Sequence, residues 1–216
     1  MFDVNVSLEQ LIEPSSVLCV AAKWLGEKQT YFFSDWTDGH ASMLEQVHGL
    51  LSMADAVVTY NGDRFDLPKL RGEFALLGYP PIPPLTSIDL YKTVKKLGLQ
   101  SGKLAFVGPF FGIGKKIKHE GFSLWTSVMD GDKKAQKRME KYCVGDVTLT
   151  ELVYMRLRPY ITNHPHLGDT GRGACGSCGG TVLQSRGFRR TKAFKIQRLH
   201  CQSCGSWQDG SRTKAG

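Results

Sequence analysis

Three residues in two short stretches offer the clearest chemistry in this sequence. Asp66 stands in YNGDRFDLPKL, residues 60–70, behind a short apolar run. Tyr142 and Asp146 stand four residues apart in YCVGD, so a helix would place both on one face, one turn apart. A carboxylate suits a hard divalent cation, and a neighbouring phenol can orient a water or a phosphate. These residues indicate a metal-dependent site for a phosphate ester.

The helices that would position these residues are predicted from the spacing of apolar side chains. The first covers SMLEQVHGLLSMADA, where Ser42 and Glu45 form a capping-box pattern. A second follows Pro68, which is tolerated in a first helical turn. The third covers residues 133–158 and stops before Pro159. Tyr142 and Asp146 belong to this last helix.

Strand patterns place Asp66 at a strand end. Residues 15–33 are typical of two strands joined by a turn, and residues 56–60 are typical of a short buried strand. Strands alternating with helices indicate an α/β domain, in which ligands bind at the carboxyl ends of strands. Asp66 occupies such a place.

Four of the six cysteines form two C-x-x-C pairs separated by residues 179–200. They are Cys175, Cys178, Cys201 and Cys204. In a reducing cytoplasm this spacing predicts a structural zinc site with four thiolates rather than disulfides. Cys19 and Cys143 lie in apolar patterns and are predicted to be small core residues.

The positive charge is concentrated at the C-terminal end. Residues 171–216 hold nine of the 28 Lys and Arg residues and one of the 20 acids, Asp209, whereas the rest of the chain is neutral overall. This asymmetry indicates a polyanionic partner, and basic residues bind phosphates. The bases between the two cysteine pairs are Arg186, Arg189, Arg190, Lys192, Lys195 and Arg198. We predict that these six residues bind nucleic acid.

The pattern divides the chain into a domain over residues 1–163, a Gly- and Pro-containing linker over 164–174, and a small zinc ribbon over 175–216. The apolar stretch VLCVAA is too short to span a bilayer. No secretory signal precedes it, so a cytoplasmic location is expected.

The order of these motifs resembles a known family, the DEDD 3′ to 5′ exonucleases of the proofreading type, which have an RNase H-like fold. Their N-x-x-x-F-D motif is matched by Asn61 to Asp66, and their Y-x-x-x-D motif by Tyr142 to Asp146. SIDLYKTVKK and GIGKKIKHEGFSLW are similar to segments of a phage-encoded branch that ends in a zinc ribbon. The resemblance covers nearly the whole chain.

The resemblance implies a fold, an activity and roles for the site residues. The fold would be an RNase H-like α/β domain followed by a zinc ribbon, and the activity two-metal hydrolysis of phosphodiesters. Asp66 and Asp146 would bind Mg or Mn, Tyr142 would position the attacking water, and Asn61 would contact nucleic acid. The substrate would be single-stranded or 3′-ended DNA, with RNA as an alternative, in a bacterial or phage-infected cell.

One family motif is not found. The family carries D-x-E on its first, central strand, but no D-x-E precedes SSVLCVAAKW, and FDVNVS offers only Asp3 and Asn5. The stretch FDVNVSLEQLIEPSSVLC resembles the family segment that comes after D-x-E, so we expect the opening strand to be missing and metal binding to be weak. The acids that would substitute are Asp3, Glu9, Glu13 and Asp89.

Two other functions stay open. If Asp66 only favours a helix start and Tyr142 with Asp146 is an ordinary solvated pair, the chain is a nucleic-acid-binding protein without catalysis. Alternatively, the ribbon is an adaptor for a polymerase or another replication protein. The aromatic residues of the ribbon are either stacking platforms for unpaired bases or its small core. They are Phe188, Phe194 and Trp207.

Overall fold

The structure, a computed structural model, describes residues 16–166 and 173–214. It begins with a hairpin and two helices: β1 (Cys19–Ala22), β2 (Tyr31–Ser34), α1 (Asp35–Asp38) and α2 (His40–Ser52). β1 and β2 are antiparallel. Gly39, at φ 78°, joins the two helices, and no side-chain hydrogen bond caps α2. The capping-box prediction was wrong, because the turn at Gly39 starts the helix before Ser42.

A strand–helix–strand unit follows: β3 (Ala56–Thr59), α3 (Asp66–Leu76) and β4 (Thr86–Asp89). β3 and β4 are parallel, with Thr59 opposite Asp89, so both strands end at the same edge. Four helices complete this part of the chain: α4 (Leu90–Lys96), α5 (Leu104–Phe110), α6 (Phe122–Met129) and α7 (Lys133–Leu157). The predicted helices after Pro68 and over residues 133–158 are confirmed as α3 and α7.

Helix α7 packs against strands of both pairs, β1 and β3. It also contributes Met139, Val153 and Leu157 to the buried core. The pairs β1–β2 and β3–β4 are nevertheless separate two-stranded sheets. Every residue of β1 and of β3 is partly exposed. Within the described residues no strand pairs with the second edge of β1 or of β3, and we call this interruption the inter-sheet gap.

The ribbon, residues 173–214, is a three-stranded antiparallel sheet in the order β5 (Leu183–Arg190), β6 (Phe194–Cys201) and β7 (Trp207–Lys214). It is joined to α7 through a 3₁₀ helix, Arg158–Tyr160, where the Arg158 Nε donates to the Ser177 carbonyl at 2.8 Å. No helix in the described residues is long and apolar enough to cross a membrane.

Candidate functional site

The turn between β3 and α3 places Asp66 at the helix start. Asn61 takes a left-handed conformation at φ 66°, which Asn tolerates better than most residues. Its N–H donates to the Asp89 Oδ1 at 2.8 Å, and the same oxygen accepts from the Tyr91 N–H at 3.0 Å. Asp89 thus joins the ends of β3 and β4 and caps α4.

Asp66 is the first residue of α3, and its side chain is accessible to solvent within a crowded part of the site. Desolvation by the surrounding protein raises the pKa of its carboxyl group, its own backbone N–H partly opposes this, and the charge of Asp89 adds to the rise. Carboxyl groups with a perturbed pKa cluster at functional sites, which makes Asp66 a candidate site residue.

Tyr142 and Asp146 lie on α7 one turn apart, as the sequence predicts, and both are partly buried. The Lys116 Nζ lies 2.8 Å from the Asp146 Oδ2 and 4.9 Å from the centroid of the Tyr142 ring. The second carboxylate oxygen, Asp146 Oδ1, is buried without a hydrogen-bond partner among the described residues. These three side chains form what we call the Lys116 triad, and it is not an exposed surface pair.

Lys116 is charged in this environment. Burial opposes the charged form of the ammonium, but hydrogen bonds to Asp146 and Tyr142 outweigh burial and raise the pKa of Lys116. The pKa of the Tyr142 phenol is also raised, because burial and the charge of Asp146 outweigh the opposing effect of Lys116. Sequence reasoning missed Lys116, because three lysines crowd the stretch KKIK and only the fold shows which one faces Asp146.

The loop that carries Lys116 packs closely against α7. A Cβ at Gly145 would lie 2.6 Å from the Ile117 Cδ1, so the absence of a side chain there lets Ile117 approach the helix. His119 packs edge-on against Tyr142, with ring centroids 4.6 Å apart, and Trp125 packs against His119 at 4.9 Å. These contacts hold the residues that directly follow Lys116 against α7.

The carboxylates of this region do not make a two-metal centre by themselves. Within the described residues, only the cysteines form a group of three or more possible metal ligands within 4.8 Å of one another. The buried Asp146 Oδ1 has no hydrogen-bond partner among the described residues and could accept a metal ion. Two-metal hydrolysis, however, needs more carboxylates than Asp66 and Asp146 supply. The candidate substitutes Asp3, Glu9 and Glu13 lie outside the described residues. The Oδ1 of Asp89 already accepts hydrogen bonds from two backbone N–H groups.

The four cysteines of the ribbon do fit a metal. Their sulfurs lie within 4.8 Å of one another, with 3.6 Å between Cys175 and Cys204 and 3.7 Å between Cys178 and Cys201. A tetrahedral site with Zn–S bonds of about 2.3 Å requires similar spacings. The two C-x-x-C turns have the same hydrogen-bond pattern: the Gly179 N–H donates to the Cys175 carbonyl at 2.8 Å, and the Gly205 N–H donates to the Cys201 carbonyl at 3.0 Å. This cluster could hold a zinc ion.

The six predicted basic residues of the ribbon do not share one surface. Alternation along the strands and the pairing register place Arg189 and Arg198 on one face and Arg190 and Lys195 on the other. Arg186 lies at a bulge in β5, and Lys192 lies in the β5–β6 turn.

The aromatic residues of the ribbon are exposed rather than buried. Phe188 is 51% exposed, Phe194 38% and Trp207 55%. The alternative that they form the core of the ribbon is therefore wrong. The buried residues Ala174, Cys175, Ile196 and Cys201 take that place.

Cys19 and Cys143 lie together between β1 and α7, with sulfurs 3.7 Å apart and both side chains partly buried. The hydrogen bond with Cys19, together with burial, raises the pKa of the Cys143 thiol far above its usual value. Both residues pack against a buried cluster from α6 and α7. They are therefore small core residues as predicted, and they lie at the edge of the core rather than in its centre.

Comparison with known proteins places this fold in a superfamily. The family model of the RNase_H superfamily matches residues 12–158, a segment that contains Asp66, Tyr142 and Asp146 and covers more than half of the chain. No curated protein matches the chain. The matched segment contains the strands β1 to β4 and the helices α1 to α7. The chain therefore belongs to the RNase H superfamily.

Proposed function

We propose that the protein is a metal-dependent 3′ to 5′ exonuclease that acts on DNA, with RNA as the alternative substrate. Membership of the RNase H superfamily suggests nuclease activity on nucleic acid. The observation that carries the proposal is the environment of Asp146. This residue lies one turn from Tyr142 on α7, the helix that packs against β3, and its Oδ1 is buried with no hydrogen-bond partner in the described residues. Asp66 begins α3, the first helix after β3.

In this proposal Asp66 and Asp146 are two ligands of a Mg or Mn centre, Tyr142 orients the attacking water, and Asn61 lies near the bound strand. The remaining carboxylates come from a further strand in the inter-sheet gap. Two features support such a strand: β1 and β3 both pack on α7 without pairing with each other, and their residues stay partly exposed. Unpaired strand edges cost free energy unless another strand or water satisfies them.

The ribbon holds the polyanionic substrate in this proposal. Zinc, held by the four cysteines, stabilises the fold of the ribbon and takes no part in hydrolysis, because four thiolates leave no open coordination position. The bases on both faces of the ribbon are exposed or half-exposed, so they are accessible to phosphates. The alternative partner of the ribbon is a replication protein, for which the ribbon would act as an adaptor.

A digestion experiment tests the proposal. A 5′-labelled single strand is incubated with the full chain and Mg or Mn, beside an Asp146→Asn variant and a Lys118→Gln variant as matched control. We expect a ladder of products shortened from the 3′ end for the parent and the control, and none for Asp146→Asn. If all three proteins leave the strand intact, this polypeptide is not an exonuclease on its own.

A second candidate function is nucleic-acid binding without catalysis. The specific observation that favours it is the ion pair between Lys116 and Asp146 at 2.8 Å, which neutralises a carboxylate that a metal would need. Binding of the labelled strand without cleavage, in the presence of either metal, would support this function.

A further inference from the structure

One face of the ribbon, which we call the Trp207 face, combines an exposed ring with guanidinium groups. The register pairs His200 with Trp207 and Arg198 with Asp209, so these four side chains lie on the same side of the sheet. The Arg198 guanidinium carbon lies 5.6 Å from the centroid of the Trp207 ring. The His200 ring lies 4.8 Å from the Trp207 ring.

The arginines of the Trp207 face are held in place. Arg189 makes two hydrogen bonds to Asp209, from Nε at 3.0 Å and from Nη2 at 2.6 Å. The Nη2 of Arg212 lies 3.7 Å from the same carboxylate. Arg198 donates to the Arg186 carbonyl at 3.1 Å. Asp209 is the one acid of residues 171–216, so the face remains positively charged around an ordered set of donors.

The backbone on either side of Trp207 is also held in place. Trp207 follows the second cysteine turn, where the Cys201 N–H donates to the Ser206 carbonyl at 2.9 Å. The next residue, Gln208, accepts from the Gly176 N–H at 2.8 Å and donates to the Ala174 carbonyl at 3.1 Å. These contacts tie the start of β7 to the metal-binding turns, so the exposed ring is presented without a large ordering cost.

A shallow depression of about 500 Å³ lies on this face. Its lining residues are Arg189, Arg198, Trp207, Gln208 and Asp209. An exposed aromatic ring stacks on a base only where that base is unpaired, and neighbouring guanidinium groups bind the phosphates on either side. The chemistry of the depression therefore suits a single strand and not a duplex.

We propose that the Trp207 face binds single-stranded nucleic acid by stacking one base on Trp207, with Arg198 and Arg212 at the adjacent phosphates. The inference rests on the proposed function only in taking nucleic acid as the substrate. The opposite face is the less suitable platform, because the Lys195 Nζ lies 4.3 Å from the centroid of the Phe188 ring and so covers it more closely than Arg198 covers Trp207 at 5.6 Å. Phe188 therefore offers a matched control on the same sheet.

The test measures binding separately from hydrolysis. A labelled oligothymidylate and a duplex of equal length are titrated with the full, zinc-loaded chain in the absence of Mg and Mn, and the anisotropy of the label is followed. The variants are Trp207→Leu, Trp207→Phe and Phe188→Leu, each checked for zinc content. Loss of one stacked base is expected to weaken binding of the single strand by about tenfold.

The expected pattern is a loss in Trp207→Leu, recovery in Trp207→Phe because a ring is restored, and no change in Phe188→Leu. The weak binding of the duplex should not change in any variant. Equal binding by Trp207→Leu and the parent overturns the inference, as does an equal loss in Phe188→Leu. A chain that binds no oligonucleotide also overturns it and favours a protein partner. Hydrolysis without this binding pattern would overturn this inference alone and leave the exonuclease proposal standing.

A second inference comes from the Lys116 triad and is independent of the ribbon. We infer that Lys116 is a built-in cation, whose ammonium takes the place at Asp146 where a divalent metal would bind. The ammonium lies 2.8 Å from the Asp146 Oδ2, and about three quarters of each side chain is inaccessible to solvent. The fit of Ile117 against Gly145 keeps the loop in position. A metal ion at Asp146 would have to displace this charge.

Removal of the ammonium should therefore admit metal. Free Mn²⁺ is measured by electron paramagnetic resonance during titration of the full-length parent and of Lys116→Met, with Lys115→Met as a control because Lys115 is an exposed neighbour. A repelling charge at contact distance predicts a gain in affinity of about tenfold or more for Lys116→Met. The control should match the parent, and adding Asp146→Asn should abolish the gain. No gain in Lys116→Met, including the case in which neither protein binds Mn²⁺, overturns the inference.

Discussion

Gly62 lies directly against Thr59, so that a Cβ added to Gly62 would come within 2.5 Å of the Thr59 Cβ. Thr59 ends β3, and Asp66 begins α3 four residues after Gly62. The Leu67 N–H donates to the Gly62 carbonyl at 2.9 Å. This close approach lets the chain turn from the strand into the helix within a few residues, and it thereby sets the position of Asp66.

Gly62→Ala is expected to destabilise the protein by about 2 kcal/mol or more, because the clash involves the Thr59 Cβ near the backbone and cannot be relieved by rotating a distant atom. Gly72 is the matched control, since it lies in α3 with nothing within 4 Å of an added Cβ. Gly72→Ala should stabilise by about 0.5–1 kcal/mol. Urea denaturation measures both, and similar values for the two variants would contradict the role of Gly62.

Asp66→Asn is expected to raise stability at neutral pH while abolishing hydrolysis. The folded protein raises the pKa of Asp66, so the charged form costs stability at pH values above its folded pKa, and this cost vanishes as the pH falls below the usual value of about 3.9. The gain should stay below about 1 kcal/mol, because the carboxylate is accessible to solvent and screened.

Thermal unfolding of Asp66→Asn and the parent at several pH values measures this difference. It should be largest near pH 7 and should shrink towards pH 4. A variant less stable than the parent at pH 7 would show instead that Asp66 is mainly a favourable helix-start residue.

Removal of zinc is expected to unfold the ribbon. Its buried hydrophobic residues are few, and two of them, Cys175 and Cys201, belong to the four-cysteine cluster that could hold the zinc. So small a core does not hold a three-stranded sheet without the metal. We expect one zinc per chain, and amide hydrogen exchange should show protection of β5 to β7 lost with a strong chelator but kept in α7. Protection of the ribbon after the zinc has gone would contradict this.

A strand supplied in front of the chain is expected to fill the inter-sheet gap. An alternating six-residue strand with Asp and Glu two residues apart is fused through a flexible linker, beside a control strand with Asn and Gln. Both should stabilise the chain, and each 1 kcal/mol raises Tm by about 2–4 °C for a protein of this size. Only the acidic strand should increase metal-dependent cleavage. If Tm stays unchanged in both fusions, the gap does not accept a strand.

The helices of the superfamily domain were easier to predict from the sequence than its short strands. α3 and α7 follow from apolar spacing and from Pro68 and Pro159, which act within one or two turns. β4 was not predicted, because its four residues, Thr86–Asp89, carry little strand signal and are stabilised by parallel pairing with distant β3. The start of α2 was misplaced because a glycine turn replaced the expected side-chain cap.

The sequence by itself determined the features that depend on covalent spacing. Tyr142 and Asp146 share a helical face because four residues nearly complete a turn, and each C-x-x-C pair brings two sulfurs to one turn. Only the tertiary structure decided which groups meet across the chain. It placed Lys116 on Asp146, left the β1 and β3 edges unpaired within the described residues, and, through the strand register, grouped Arg189 with Arg198 on one face of the ribbon and Arg190 with Lys195 on the other. These outcomes depend on long-range packing and strand register, which local spacing does not fix.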